Sequence, residues 1–245
     1  MLRLVAVVAL ASLAAAHMAL VYPCPRFSNK CDKKYTLPPG AKYNEDTMTS
    51  PIGYGKDTPL CKSKTPWPQP VASWTAGQSV TIKFPPGGAT HGGGHCQFSI
   101  SYDGGNAFAV MYEVLGNCFT GQPAGAGVVG SAGAETREYT FKLPDTLPAS
   151  NSAVFAWSWV NAIGNREFYM NCADVAISGT SSSYTGKAMV IANHEGYPKI
   201  PEFGGKPSTG VELYKAAKSI TQAIANNEKH QYLIITNKRQ YLIAQ

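Results

Sequence analysis

The sequence predicts an all-β protein, an antiparallel β-sandwich. Three observations carry this. Apolar residues alternate with polar ones in short segments from Val80 onward, the period of a half-buried strand. Gly (24) and Pro (17) are abundant while charged residues make up only 15%, which suits short strands joined by turns and argues against a helical bundle. Turn chemistry separates the segments, as at Asp103-Gly104-Gly105.

The chain opens with Met1-Leu2-Arg3, an apolar run from Leu4 to Leu13, and Ala14-Ala15-Ala16. One positive charge, a short apolar stretch and small residues at its end make residues 1–16 an expected signal peptide, and the protein an expected secreted one. The run is too short and wrongly flanked to span a membrane. Cleavage after Ala16 would make His17 the first residue of the mature chain. Its α-amine and an imidazole nitrogen could then chelate one metal ion.

From His17 to about Thr75 the chain reads as irregular. Pro23, Pro25, Pro38-Pro39, Pro51, Pro59, Pro66, Pro68 and Pro70 prevent long regular elements. Tyr22, Tyr35, Tyr43, Tyr54, Trp67 and Trp74 in this stretch divide between core and an exposed aromatic surface. The period-two set then runs through Val80–Phe84, Phe98–Tyr102, Phe108–Leu115, Tyr139–Leu143, Val154–Val160 and Cys172–Ile177. Phe155, Trp157 and Trp159 fall on one strand face. Gly121–Gly133 is mostly Gly and Ala and reads as a flexible surface connection.

Residues 17–180 are therefore expected to form the sandwich domain and residues 181–245 a C-terminal extension, part of it helical. Val211, Tyr214, Lys218, Ile220 and Ile224 lie near helical spacing, with Thr209 as a candidate cap. Tyr232–Ile235 and Tyr241–Ala244 are too short and too charged at their flanks for a membrane span or a lipid-anchor signal.

The six cysteines are Cys24, Cys31, Cys61, Cys96, Cys118 and Cys172. An even number behind a signal peptide implies disulfides formed in an oxidising compartment. There is no C-x-x-C and hence no zinc-site spacing. The net charge is +6, and the basic residues are scattered or form small groups without interleaved aromatics. They read as solvated surface, with no nucleic-acid partner and no membrane partner.

Two constellations carry chemistry. In Gly87-Gly88-Ala89-Thr90-His91-Gly92-Gly93-Gly94-His95-Cys96, the glycines remove side-chain bulk, so a histidine here can project past the sandwich end. His91 and His95 are both candidates on spacing, and imidazole favours copper, zinc or iron. In Asn165-Arg166-Glu167-Phe168-Tyr169-Met170-Asn171-Cys172, alternation puts Glu167 and Tyr169 on one face and Phe168 and Met170 on the other. A phenol and a carboxylate facing one way would serve a metal site, the phenol as an axial donor and the carboxylate as a hydrogen-bonding acid.

With His17-Met18 behind the leader, Thr90-His91-Gly92-Gly93-Gly94, and Gly164 to Ala173, the chain resembles fungal lytic polysaccharide monooxygenases, most closely auxiliary activity family eleven. The likeness runs from His17 to about Gly179. It implies an immunoglobulin-like β-sandwich and one copper ion held by His17, through its amine and ring, and by His91. It places Tyr169 at the axial position, Glu167 as the acid beside the metal, and Ala89 near the opposite axial side. The activity it implies is oxidative cleavage of an insoluble polysaccharide, most similar to chitin cleavage, using O2 or H2O2 and a small-molecule or protein electron donor, by a monomer. Where this chain has His95 the family pattern has a small residue, so His95 is expected behind the ligands or on the surface. The expected disulfides are Cys61–Cys172, Cys96–Cys118 and a local Cys24–Cys31. Three other readings stand beside this one: a cellulose-active enzyme, a copper-binding protein of the same fold without catalysis, and a secreted structural or carbohydrate-binding protein without metal.

Overall fold

A computed structural model describes residues 17–31, 34–43, 49–53, 60–121 and 136–223. The expected signal peptide, most of the Gly121–Gly133 loop, Tyr54 and the two short apolar stretches after Tyr232 lie outside the described residues. Among the described residues these elements follow in order: β1 Ala72–Thr75, β2 Ser79–Lys83, β3 Gly94–Ser101, β4 Ala109–Val114, β5 Glu138–Lys142, β6 Ser150–Asn161, β7 Phe168–Ser178, β8 Ser183–Lys187, a short helix α1 Val211–Lys215 and β9 Ser219–Ala223. No described helix is long and apolar enough to cross a membrane.

The period-two segments build a β-sandwich. One layer is a five-stranded sheet in the order β1-β7-β6-β3-β4, and β2 and β5 pair to form the facing layer. Val80, Ile82, Tyr139 and Phe141 of that ladder share one buried cluster with Phe98, Phe155, Trp157 and Trp159 of the large sheet. Burying each such side chain contributes on the order of 2 kcal/mol. The aromatic face of β6 is thus the centre of the core. Trp67 and Trp74 join the same cluster, whereas Tyr43 is exposed.

The other face of the large sheet is also covered. Val154, Ala156, Val160, Phe168 and Met170 pack against Ile200, Phe203 and Tyr214. Central strands covered on both sides have no solvent-facing side, and β3 is buried at every position, its alternating polar residues His95, Gln97, Ser99 and Ser101 included. Residues beyond 180 supply this cover, and β8 pairs with β9 alongside β4.

Local pattern and structure part in three places. β1 lies in the stretch read as irregular. It is four residues long, follows the proline run and pairs with β7 in parallel, the one parallel pairing in an otherwise antiparallel sheet. The two strands are far apart in sequence, so no hairpin dictates their direction. The helical spacing after Thr209 yields only α1, because Ser219–Ala223 finds β8 as a partner and tertiary pairing overrides periodicity. Thr209 does not cap that helix. Gly210 stands at its N-cap with φ 81°, and the Thr209 hydroxyl donates to the Phe203 carbonyl at 3.3 Å.

Covalent and ionic ties add to packing in the N-terminal region, which itself buries Met18, Leu20 and Trp67 in the core. The disulfides are Cys24–Cys31, Cys61–Cys172 and Cys96–Cys118. Buried Arg26 grips Asp174 of β7 through Nε at 3.0 Å and Nη2 at 2.6 Å, and Asp174 also accepts the Trp67 N–H at 2.8 Å. Such a pair is costly to break on one side only, about 3–5 kcal/mol.

Candidate metal centre

The site forms where the N-terminal segment meets the end of the large sheet. Four features fix His17. Met18 is buried. The Leu20 N–H donates to Asn171 Oδ1 at 2.9 Å. Val21 and Tyr22 bond to Lys83 at the end of β2. Gly88, at φ +84°, lies so close that a Cβ there would sit 3.0 Å from the His17 carbonyl oxygen. Half-buried Ala89 follows in the same loop.

His91 reaches the site from the turn before β3. Its φ is 45°, the left-handed region that few non-glycine residues enter. Its carbonyl accepts the Ile163 N–H at 2.9 Å, which ties this turn to the β6–β7 connection. Its ring lies nearly parallel to that of His17, with centroids 5.2 Å apart and 12° between planes. Tyr169 completes the group from β7, with its ring 5.3 Å from His17 and 6.5 Å from His91.

Glu167 and Tyr169 share a face, as their spacing requires. The Tyr169 hydroxyl donates to Glu167 Oε2 at 2.5 Å. Asn161 shapes the loop leading to Glu167: its Nδ2 donates to the carbonyls of Ile163 at 2.9 Å and Asn165 at 2.7 Å, and its Oδ1 accepts the Glu167 N–H at 3.2 Å. Trp159 underlies the group, 4.7 Å from Tyr169 and 5.7 Å from His91, with its indole N–H on the Gly93 carbonyl at 3.1 Å.

The donor set is suited to a cation. One ligand atom from each of His17, His91 and Glu167 lies within 4.8 Å of the others. Burial lowers the His17 pKa, neighbouring His91 lowers it further, Glu167 opposes this, and Lys62 adds to the lowering. The imidazole is thus kept neutral, the form that ligates a metal. Lys62 is itself buried, its ammonium pushed down to about 7 by desolvation, and it donates to the Ser50 carbonyl. Burial raises the Tyr169 pKa, and the hydrogen bond to Glu167 raises it further, so the phenol stays protonated.

His95 is apart from this group. It is buried, so the surface placement does not hold, and its hydrogen bonds and ring contacts go to residues other than His17, His91, Glu167 and Tyr169. Its Nδ1 accepts the Gly116 N–H at 2.9 Å, and its Nε2 donates to the Thr209 carbonyl at 2.8 Å. Its ring packs on Phe203 and Tyr214. Nε2 thus ties the chain after residue 200 to the sheet, and Nδ1 ties the turn after β4 to β3.

Asn171, Asn161 and Trp159 carry no sequence signal as parts of the site. Trp159 reads as one of a strand's aromatic face and Asn171 falls within the Glu167–Cys172 stretch, and only the long-range contacts reveal what they hold. Two cavities flank the group. One of about 230 Å³ is lined by His17, Leu20, Pro85 and Gly88, and one of about 180 Å³ by Ile52, Arg166, Glu167 and His194. A further cavity, about 430 Å³ beside Arg26 and Cys61, touches none of the four site residues.

No family model matches the chain. It is 40% identical over 183 residues to AA11 family lytic polysaccharide monooxygenase A of Aspergillus fumigatus, an alignment covering 71% of this chain and 72% of that protein. It is 34% identical over 154 residues to an AA11 family lytic polysaccharide monooxygenase of Aspergillus oryzae, covering 55% of this chain and 36% of that longer protein. The crystal structure of HiLPMO9B gives a TM-score of 0.33 at 16% identity, over 62% of this chain and 69% of that one. That likeness is too slight to bear on the site.

Proposed function

The chain belongs to the AA11 family of lytic polysaccharide monooxygenases, and on that premise we propose that it is a secreted, monomeric copper enzyme that oxidatively cleaves chitin. The observation that carries the copper reading is the buried His91 Nε2, which has no hydrogen-bond partner among the described residues. An imidazole nitrogen withheld from water and protein is costly unless something else meets it. Here it lies beside the stacked His17 ring and a carboxylate, a nitrogen-rich set that suits copper.

His17 and His91 would hold the ion, with the His17 amine joining once residues 1–16 are removed. Tyr169, whose ring lies beside both imidazoles, would flank the ion. Bound copper would supply the one-electron chemistry by which O2 or H2O2, with an external reductant, oxidises a glycosidic C–H bond. The protein's part is positional. The stacked imidazoles set the donor directions, Trp159 and Gly88 fix the two histidine-bearing segments, and Tyr169 holds the Glu167 carboxylate through Oε2. That leaves Glu167 to give and take a proton through Oε1 beside the reacting oxygen.

The test uses protein whose N-terminus is confirmed as His17 by mass. It is loaded with copper and incubated with ascorbate and powdered β-chitin, and the soluble products are analysed by mass spectrometry. Even-numbered chitooligosaccharides carrying an added oxygen, absent without reductant, are expected. No products from chitin but oxidised products from cellulose would move the substrate. No products from any glycan, with tight one-to-one copper binding, would replace the enzyme by a copper-handling protein.

A further inference from the structure

We infer that the cavity between Glu167 and His194 is a glycan subsite, which takes a neutral sugar unit of the polymer next to the one being oxidised. The inference rests on the proposed reading of the metal centre, because Glu167 is the wall that the two share. Ile52, Gly53, Arg166, Asn193, His194 and Glu195 are among the other lining residues.

Four observations carry it. The first is an unmet donor. Asn193 Nδ2 is buried and has no hydrogen-bond partner among the described residues. The rest of Asn193 is fixed: its Oδ1 accepts the Ile200 N–H at 2.7 Å, and its own N–H donates to the Pro198 carbonyl at 2.8 Å. A buried amide N–H pair with nothing to meet costs free energy, which an incoming oxygen acceptor would recover.

The second is a flat wall. The His194 ring lies over Gly53, where a Cβ would come within 2.7 Å of its Nδ1. It stacks on Tyr197 at 5.7 Å and 15°, and Tyr197 is exposed. An aromatic pair half open to water at a cavity edge offers a face to the apolar side of a pyranose ring.

The third is charge. Arg166, Glu167 and Glu195 share the lining, and the Arg166 guanidinium is already spread over the Gly164, Asn161 and Pro201 carbonyls. A wall of mixed sign with its cation engaged favours a neutral hydroxyl- or amide-bearing ligand over an anion. The fourth is size. About 180 Å³ is below the roughly 300 Å³ at which pockets begin to engulf drug-sized ligands, so it admits one sugar unit and not an oligosaccharide.

The experiment measures binding of chitohexaose and of cellohexaose to the copper-loaded protein by calorimetry, alongside copper affinity. Three proteins are compared. Asn193→Asp keeps the Oδ1 acceptor for Ile200 and tolerates the left-handed φ of 58°, but replaces the donor by an oxygen. His194→Ala removes the wall. Both variants are expected to bind the hexasaccharide at least fivefold more weakly than the parent, with copper affinity unchanged. A larger loss for chitohexaose would assign the Asn193 contact to an amide oxygen, and equal losses to a hydroxyl. If the parent binds and both variants bind as tightly, the subsite is overturned while the metal-centre reading stands. If the parent binds neither sugar and cleaves no glycan, both readings fall together.

Discussion

The Tyr169 hydroxyl donates to Glu167 Oε2 at 2.5 Å, so the carboxylate beside the two histidines is held by a residue two positions along the same strand face. Glu167→Gln keeps shape but loses the titrating oxygen. Oxidised-product formation should fall about 100-fold or more, with copper affinity nearly unchanged. Tyr169→Phe leaves the carboxylate ionisable but unheld. Losing a hydrogen bond to a charged group, about 1.5–3 kcal/mol, should lower the rate roughly tenfold or more. Initial rates on β-chitin and calorimetric copper titration separate the two effects.

His91→Ala removes the buried nitrogen that has no protein partner. Copper affinity should fall by more than about 100-fold, beyond the range seen for groups that only support a ligand. The fold should be little affected, since the ring makes no protein hydrogen bond through that nitrogen. Unchanged affinity in a titration against a competing chelator would remove His91 from the metal.

How much of this was legible in the chain depends on the range of the interaction. The shared face of Glu167 and Tyr169 follows from a period of two and could be read off. The core face of Phe155, Trp157 and Trp159 follows in the same way. His91 and His95 could not be told apart locally, since each borders the glycine run. The register separates them: His95 is inside β3 opposite Val160, whereas His91 is in the turn before it. The clamp on the His17 segment joins Leu20 to Asn171, 151 residues away, and no local pattern encodes that. β1, β8 and β9 are four or five residues each and are defined by their partners.

Burial pushes the His95 imidazole down to about 4, against smaller upward effects of the Thr209 carbonyl and Glu113. Between that value and the ordinary 6.5, the unfolded chain binds a proton that the folded chain refuses. The stability from His95 is therefore complete above about pH 6.5 and is lost as pH falls toward 4, by at most about 3 kcal/mol. His95→Gln can still accept from Gly116 and donate to Thr209 but cannot titrate. Urea midpoints measured from pH 7 to 4 should fall less steeply in that variant.

The Cys61–Cys172 disulfide closes a loop of sequence separation 111. Constraining so long a loop in the unfolded chain is worth about 5 kcal/mol on loop-entropy grounds. The double replacement of both cysteines by alanine should therefore lower the thermal midpoint by many degrees. Replacing Cys24 and Cys31, separated by only seven residues, should cost less. A calorimetric scan of both variants checks the order.

Asn171 is where fold and site meet. Its Oδ1 takes the Leu20 N–H and its Nδ2 donates to the Met170 carbonyl at 3.0 Å, so it links the strand carrying Tyr169 to the segment carrying His17. Asn171→Ala leaves a buried Leu20 N–H unmet, at about 1–3 kcal/mol. It also frees the His17 segment to shift against His91. Activity should then fall by more than the lost stability explains, because donors displaced by even 1 Å lose their alignment. Asn171→Asp retains the acceptor for Leu20 and should recover most of the copper affinity, though not all of the stability. If Asn171→Ala proved less stable but kept parental copper affinity and rate, the clamp would be structural alone.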